Sequence, residues 1–268
     1  MSASVLEMLD RRVLGALRFV DCLGAPVRSQ LAIAAPEGVV VWRKPSGVVV
    51  IAAAPGLAAH AGAFLAPAAP APGSVRLDLD VRPADAGLDA RRVRLSLPRD
   101  ADPARAEAAD SLFRAQDVTL LPAPGARPAG MAALLYVTIV RAADGRRIEN
   151  ALVRFRPDGG RPVARARSDA AGTALLVVPG VPLASPGAGA VVTHALGGVL
   201  DAIADPALAR FHAEEEIGAA RRRQAARRRD FLDPDEVEAR LGDAAMPAGR
   251  AGVIAGRALS ATISWSPP

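Results

Sequence analysis

The chain is poor in lysine, cysteine and aromatic rings: Lys44 is its only lysine, Cys22 its only cysteine, and one Tyr, two Trp and six Phe make up 3% of 268 residues. Each scarcity removes a class of function. A lone cysteine cannot build an intramolecular disulfide framework or a thiolate metal site, and it fits a reducing compartment. Placed in an apolar stretch, Cys22 is expected as a buried structural thiol. With so few rings, most are needed in cores, so stacking on sugars or single-stranded bases is disfavoured. No apolar run reaches about 18 residues, so no membrane-spanning helix is expected.

The sequence is equally sparing with catalytic signatures. His60, His194 and His212 share no metal-ligand spacing. No H-E-x-x-H, G-x-S-x-G or G-x-x-x-x-G-K pattern occurs. Asp201 with Asp205, and His212 with Glu214, read as surface pairs at helical spacing. We therefore expect no catalytic residue, no cofactor, no metal and no enzymatic activity. The formal charge of +5 comes almost wholly from arginine. An Ala-, Arg-, Gly- and Pro-rich, GC-rich coding style accounts for that, so basicity is a weak pointer to nucleic acid.

What is present is strand and turn chemistry, centred on residues 134–181. Leu135, Val137 and Ile139 alternate before the Asp144–Gly145 turn, and Ile148, Ala151, Val153 and Phe155 make a second strand. Ser168, Asp169 and Gly172 mark a further turn before an apolar strand over 173–178. Asn150, Asp169 and Gly172 are expected to serve the backbone, by side-chain bonds to neighbouring amides and by a positive φ. The order strand, D-G-x-x-I-x-N-A-x-V, S-D-A-x-G turn, apolar strand and P-G resembles the carboxypeptidase-regulatory-like, or transthyretin-like, β-sandwich family. That resemblance implies small non-enzymatic sandwiches used as spacers or docking modules.

Residues 17–57 repeat the pattern, with Gly47 in the turn before the strand over 48–53, so the two stretches read as diverged copies. Val75, Leu77, Leu79 and Val81, then Val93, Leu95 and Leu97, alternate with charged residues as half-buried strands. The expected fold is mainly β: two tandem transthyretin-like or immunoglobulin-like sandwiches with a C-terminal helical insertion and a short N-terminal helix. The divisions are a helix over 1–16, a first sandwich over 17–99, a linker over 100–117 and a second sandwich over 118–268. Its helical insertion, at about 194–242, contains a helix over 208–229 and another, capped by Asp233 and Pro234, over 235–241. The proline-rich segments 65–73 and 122–128 are expected as semi-rigid arms.

The strongest local charge feature lies over 221–229, where Arg221, Arg222, Arg228 and Arg229 share a helix face. Flanking acids favour a solvated, internally paired face or protein docking there over phosphate binding. The N-terminal stretch has Glu7 and Asp10 ahead of Arg11 and Arg12 and lacks an export-signal pattern, so a cytoplasmic protein, or one released as part of a particle, is expected. The architecture is similar to that of accessory proteins of contractile, phage-tail-like injection particles, at a baseplate, cap or fibre. The expectation is thus a structural or adaptor protein with protein subunits as partners. A sandwich module binding polysaccharide or peptide at the cell envelope, and an arginine-rich nucleic-acid binder, are the alternatives.

Overall fold

In the computed structural model, residues 12–58, 70–128, 130–158, 160, 164–181, 185–187, 190–192, 195–220, 231–242 and 247–267 are described. The alternating stretches form strands and the chain is mainly β. In the N-terminal half, β1 (Gly15–Val20), β2 (Leu31–Ala34), β3 (Val40–Arg43), β4 (Val49–Ala53), β5 (Val75–Pro83), β6 (Arg91–Leu97) and β7 (Gln116–Thr119) make two sheets. Their orders are β3-β4-β1-β7 and β2-β5-β6. Both sheets contribute to one apolar cluster that includes Leu17, Phe19, Ile51, Leu79, Leu95 and Val118. Fully burying each such side chain contributes about 1.5–3 kcal/mol.

The C-terminal half adds β8 (Ala133–Arg141), β9 (Arg147–Glu149), β10 (Ala151–Pro157), β11 (Ala164–Arg167), β12 (Thr173–Val178), the hairpin β13 (Ser185–Gly187) and β14 (Ala190–Val192), β15 (Leu196–Ala204), β16 (Arg210–His212), β17 (Pro247–Val253) and β18 (Ala258–Trp265). One sheet runs β11-β10-β15-β17. The other runs β12-β8-β9-β16, with β18 also on β8. A second cluster, with Leu135, Val137, Val153, Phe155, Leu176 and Leu200, takes residues from both. The two halves share a pairing pattern: β1 lies antiparallel to β4 and parallel to β7, and β8 lies antiparallel to β12 and parallel to β18. They differ at β3, which pairs with β4, whereas β11 pairs with β10.

Several expectations are corrected. Residues 196–204 are not a helical run: β15 sits between β10 and β17 as a central strand. Its glycines have a packing reason. A Cβ on Gly198 would stand 2.5 Å from the carbonyl oxygen of Arg156 and 2.6 Å from the Phe155 ring, so only glycine lets the strands close over that ring. Within 208–229, Arg210–His212 is a strand and Glu214–Glu216 a 3-10 turn, residues 217–220 are helical as expected, and 221–229 lie outside the described residues. The stretch expected to open the second unit at 118 belongs to β7 and completes the first sheet beside β1. The supposed linker over 100–117 carries a 3-10 turn at Pro103–Arg105 and a bridge between Asp100 and Ser111.

The strand expected over 148–155 breaks at Asn150, whose φ of 64° carries the chain from one sheet to the other. Most of the N-terminal helix expected over 1–16 lies outside the described residues, and β1 already begins at Gly15. Cys22 stands in the turn after β1 and is only half-buried. The segment 122–128 is no free arm: Ala126, and Leu121 just before it, are buried against apolar residues of the C-terminal half. Among the described residues no helix is long and apolar enough to cross a membrane.

Candidate functional site

Among the described residues, the main concentration of buried charge surrounds one short helix, α1 (Pro234–Leu241). The cause is visible in the strands beneath it. On β6 the even-numbered side chains face away from the first apolar cluster, and Arg92 and Arg94 stand directly opposite Asp80 and Asp78 of β5, each pair at 2.8 Å. On β10, Leu152 and Arg154 face away from the second cluster, yet both are buried. Helix α1 lies across these outer faces, with Val237 and Leu232 packed on Leu152, Ile203 and Leu121.

Asp233 anchors the helix N-terminus. Its Oδ1 accepts from the backbone N–H groups of Asp235 at 3.1 Å and Glu236 at 3.4 Å, and from the buried guanidinium of Arg91 at 2.9 Å. Its Oδ2 accepts the backbone N–H of Arg94 at 3.0 Å. One carboxylate therefore caps α1, pairs with Arg91 and accepts an N–H from the free edge of β6. Arg91 also donates to the carbonyl of Thr119 at 2.8 Å and to Asp235 at 2.7 Å. The Arg92 N–H donates to the carbonyl of Leu232 at 3.1 Å, so the β6 edge is covered.

The opposite side of α1 meets the second half in the same chemistry. Arg154 makes a two-pronged pair with Asp201, at 2.6 and 3.1 Å, and donates to Glu238 at 3.0 Å and to the carbonyl of Gly242 at 3.1 Å. Arg156 donates to the same Asp201 at 2.5 Å. Arg165 bonds Asp235 at 2.8 Å and Glu238 at 2.9 Å. Further along, Arg167 pairs with Asp89 at 2.9 Å and donates to the Asn150 side chain at 3.1 Å, which in turn donates to the carbonyl of Leu208 at 3.2 Å. Buried His212 stands 2.6 Å from buried Glu149. Thus Asp201, expected on a helix surface, is 1% exposed on a central strand, and His212 pairs across strands rather than with Glu214.

The remaining expected site residues fall in turns. Gly47, at φ 84°, closes the β3–β4 hairpin through its N–H to the carbonyl of Lys44. Asp169 accepts the N–H groups of Ala171 and Thr173 at 2.9 and 3.0 Å. Gly172 sits at φ 67°, where a Cβ would lie 2.6 Å from the carbonyl oxygen of Ile139. Arg221, Arg222, Arg228 and Arg229 lie outside the described residues, as do His60 and His194. Among the described residues, no group of three or more His, Cys, Asp or Glu is placed to hold a metal. The seam residues go unread in the sequence because its arginines lie on strands far along the chain from the carboxylates they meet. The one available signal is the Asp233–Pro234 cap.

The electrostatics fix a direction for acid. The Arg94 hydrogen bond holds Asp78 below the usual carboxylate range, Arg18 does the same for Asp117, and Arg141 brings Asp144 down to about 2. Burial pushes Asp235 up, but the charges of Arg91 and Arg165 outweigh it and the carboxyl is lowered. These groups add stability that is complete above the unfolded value near 3.8 and is lost as pH falls through the folded values. Asp89 works the other way: burial, against the pull of Arg167, raises it and offsets part of the effect. Calorimetry is expected to show a melting temperature nearly flat from about pH 7 to 5 and falling steeply below about pH 4. An unchanged melting temperature down to the acid end would contradict this assignment of the pairs. At neutral pH the Cys22 thiol stays protonated, since burial and Asp21 push it up to about 11.

No family model matches the chain, and no curated protein matches it. Among solved structures, the TIE protein of Bacillus anthracis is similar at a TM-score of 0.27 and 10% identity, over 95% of this chain and 34% of that one. The chain spans about a third of that protein's length.

Proposed function

We propose that this chain is a non-enzymatic structural or adaptor protein of a larger assembly, built as two transthyretin-like sandwiches held at a fixed mutual orientation. The observation that supports the reading is the seam around α1. Its arginines and carboxylates are bonded to one another and to backbone, as Asp233 is on both oxygens and Arg154 on three nitrogens. Groups so engaged hold geometry. A protein that spends its buried charge on fixing one half against the other suits a spacer or bracket. The shared pairing pattern of β1 and β8 supports reading the halves as copies of one motif.

The assembly we name is a contractile, phage-tail-like injection particle, with the chain at a baseplate, cap or fibre and assembled in the cytoplasm. That rests on likeness of architecture alone. The partners are protein subunits, and the arginine-rich segment 221–229 docks protein. The test is sedimentation of extract from the source cells with the chain tagged. Recovery in a large complex with other subunits is expected; recovery solely as a free monomer overturns the reading.

A further inference from the structure

We propose that the edge strand β3, with the basic groove at its end, is a docking surface for an acidic, extended peptide segment that adds to the sheet as a further strand. The inference extends the adaptor reading by giving it a contact surface. β3 ends the order β3-β4-β1-β7 and among the described residues pairs with β4 alone, so one side of its backbone faces away from the sheet. Val39 and Val41 pack toward the first apolar cluster, whereas Val40 and Trp42, on the opposite face of the strand, are 42% and 51% exposed. A register shift between Val40 and Val41 confines regular pairing to the half from Val41 onward, which leads into the groove.

The groove has a volume of about 810 Å³ and is lined in part by Arg28, Gln30, Arg43, Lys44 and Ser46, with no carboxylate among its lining residues. This sets it apart from the strands around α1, where Arg92 faces Asp80 and Arg94 faces Asp78. Among the described residues neither Arg28 nor Lys44 has a carboxylate partner, and Arg43 donates to the carbonyl of Ser29 at 3.1 Å. Uncompensated positive charge beside an open strand edge selects a negative chain able to form main-chain ladder bonds, and Trp42 offers an apolar contact for alternate side chains. A nucleic acid fits less well, because three cations give a small counterion term and an oligonucleotide cannot form ladder bonds.

The test uses the full chain and a fluorescein-labelled ten-residue peptide alternating glutamate with valine, followed by anisotropy. Saturable binding is expected. It should fall about tenfold in the double variant Arg28→Glu/Lys44→Glu, whose exposed positions leave the fold intact by circular dichroism, and disappear when alternate peptide nitrogens are methylated. Lack of saturable binding overturns the proposal. So does binding that ignores the double variant or the methylation, or tighter binding of an oligothymidylate of equal charge. Sedimentation in a large complex without peptide binding would sink this proposal alone, and peptide binding by a free monomer would sink the assembly reading alone.

Discussion

Replacing Asp201 by alanine is expected to cost about 3–5 kcal/mol, because the change strands a buried guanidinium rather than deleting one contact. Asp201 is 1% exposed and receives both prongs of Arg154, itself 4% exposed, together with Arg156. Without it, Arg154 keeps, among the described residues, Glu238 and the carbonyl of Gly242 against the desolvation of a full charge. At roughly 2–4 °C per kcal/mol for a chain near this size, the melting temperature should drop by about 10 °C. The pair's net worth is another matter, since a buried pair often stabilises no more than an apolar pair of similar volume. The double variant Arg154→Leu/Asp201→Leu should therefore recover most of the loss. Thermal melts of Asp201→Ala and of the double variant decide it. A single Asp201→Ala loss under about 1 kcal/mol would mean that Arg154 depends far less on this carboxylate than the two-pronged geometry implies.

How much of this is readable in the sequence follows from which faces are covered. Leu77, Leu79 and Val81 alternate with Asp78 and Asp80 because β5 buries one face and shows the other to solvent, so the pattern survives in the sequence. In β15 both faces are covered, one by the second cluster and one by α1, and Leu200, Asp201, Ala202, Ile203 and Ala204 are all buried. Alternation is erased there, and a glycine pair that serves close packing looks like a broken helix. β7 escapes for a different reason: a four-residue strand returning parallel to β1 carries no local mark of which sheet it joins. Turn residues such as Gly172 are legible because their demand is local. The seam is not, because Arg91 meets Asp233 across 142 positions, while the conspicuous run over 221–229 draws attention by density alone.

Asp233→Ala should loosen the seam itself and cost a further type of stability, that of one half against the other. The carboxylate does three jobs at once: it caps α1, pairs with Arg91 at 3% side-chain exposure, and accepts the Arg94 N–H. Losing a cap alone costs about 0.5–2 kcal/mol. Stranding the buried Arg91 raises the expected loss to about 3–5 kcal/mol, less whatever Asp235 recovers by its own bond to Arg91. Asp233→Asn separates the parts, since an amide oxygen can still cap while the charge is gone. It should recover the cap contribution and not the ion-pair contribution. The signature of a seam, as opposed to a merely capped helix, is coupling at a distance. In a double-mutant cycle Asp233→Ala and Arg91→Ala should couple by more than about 1 kcal/mol. Protease cleavage should also rise near residue 231 before the strands of either half are attacked, because α1 then detaches while both apolar clusters remain intact. Additive single-variant effects, with cleavage unchanged until global unfolding, would show that α1 decorates the halves without fixing them.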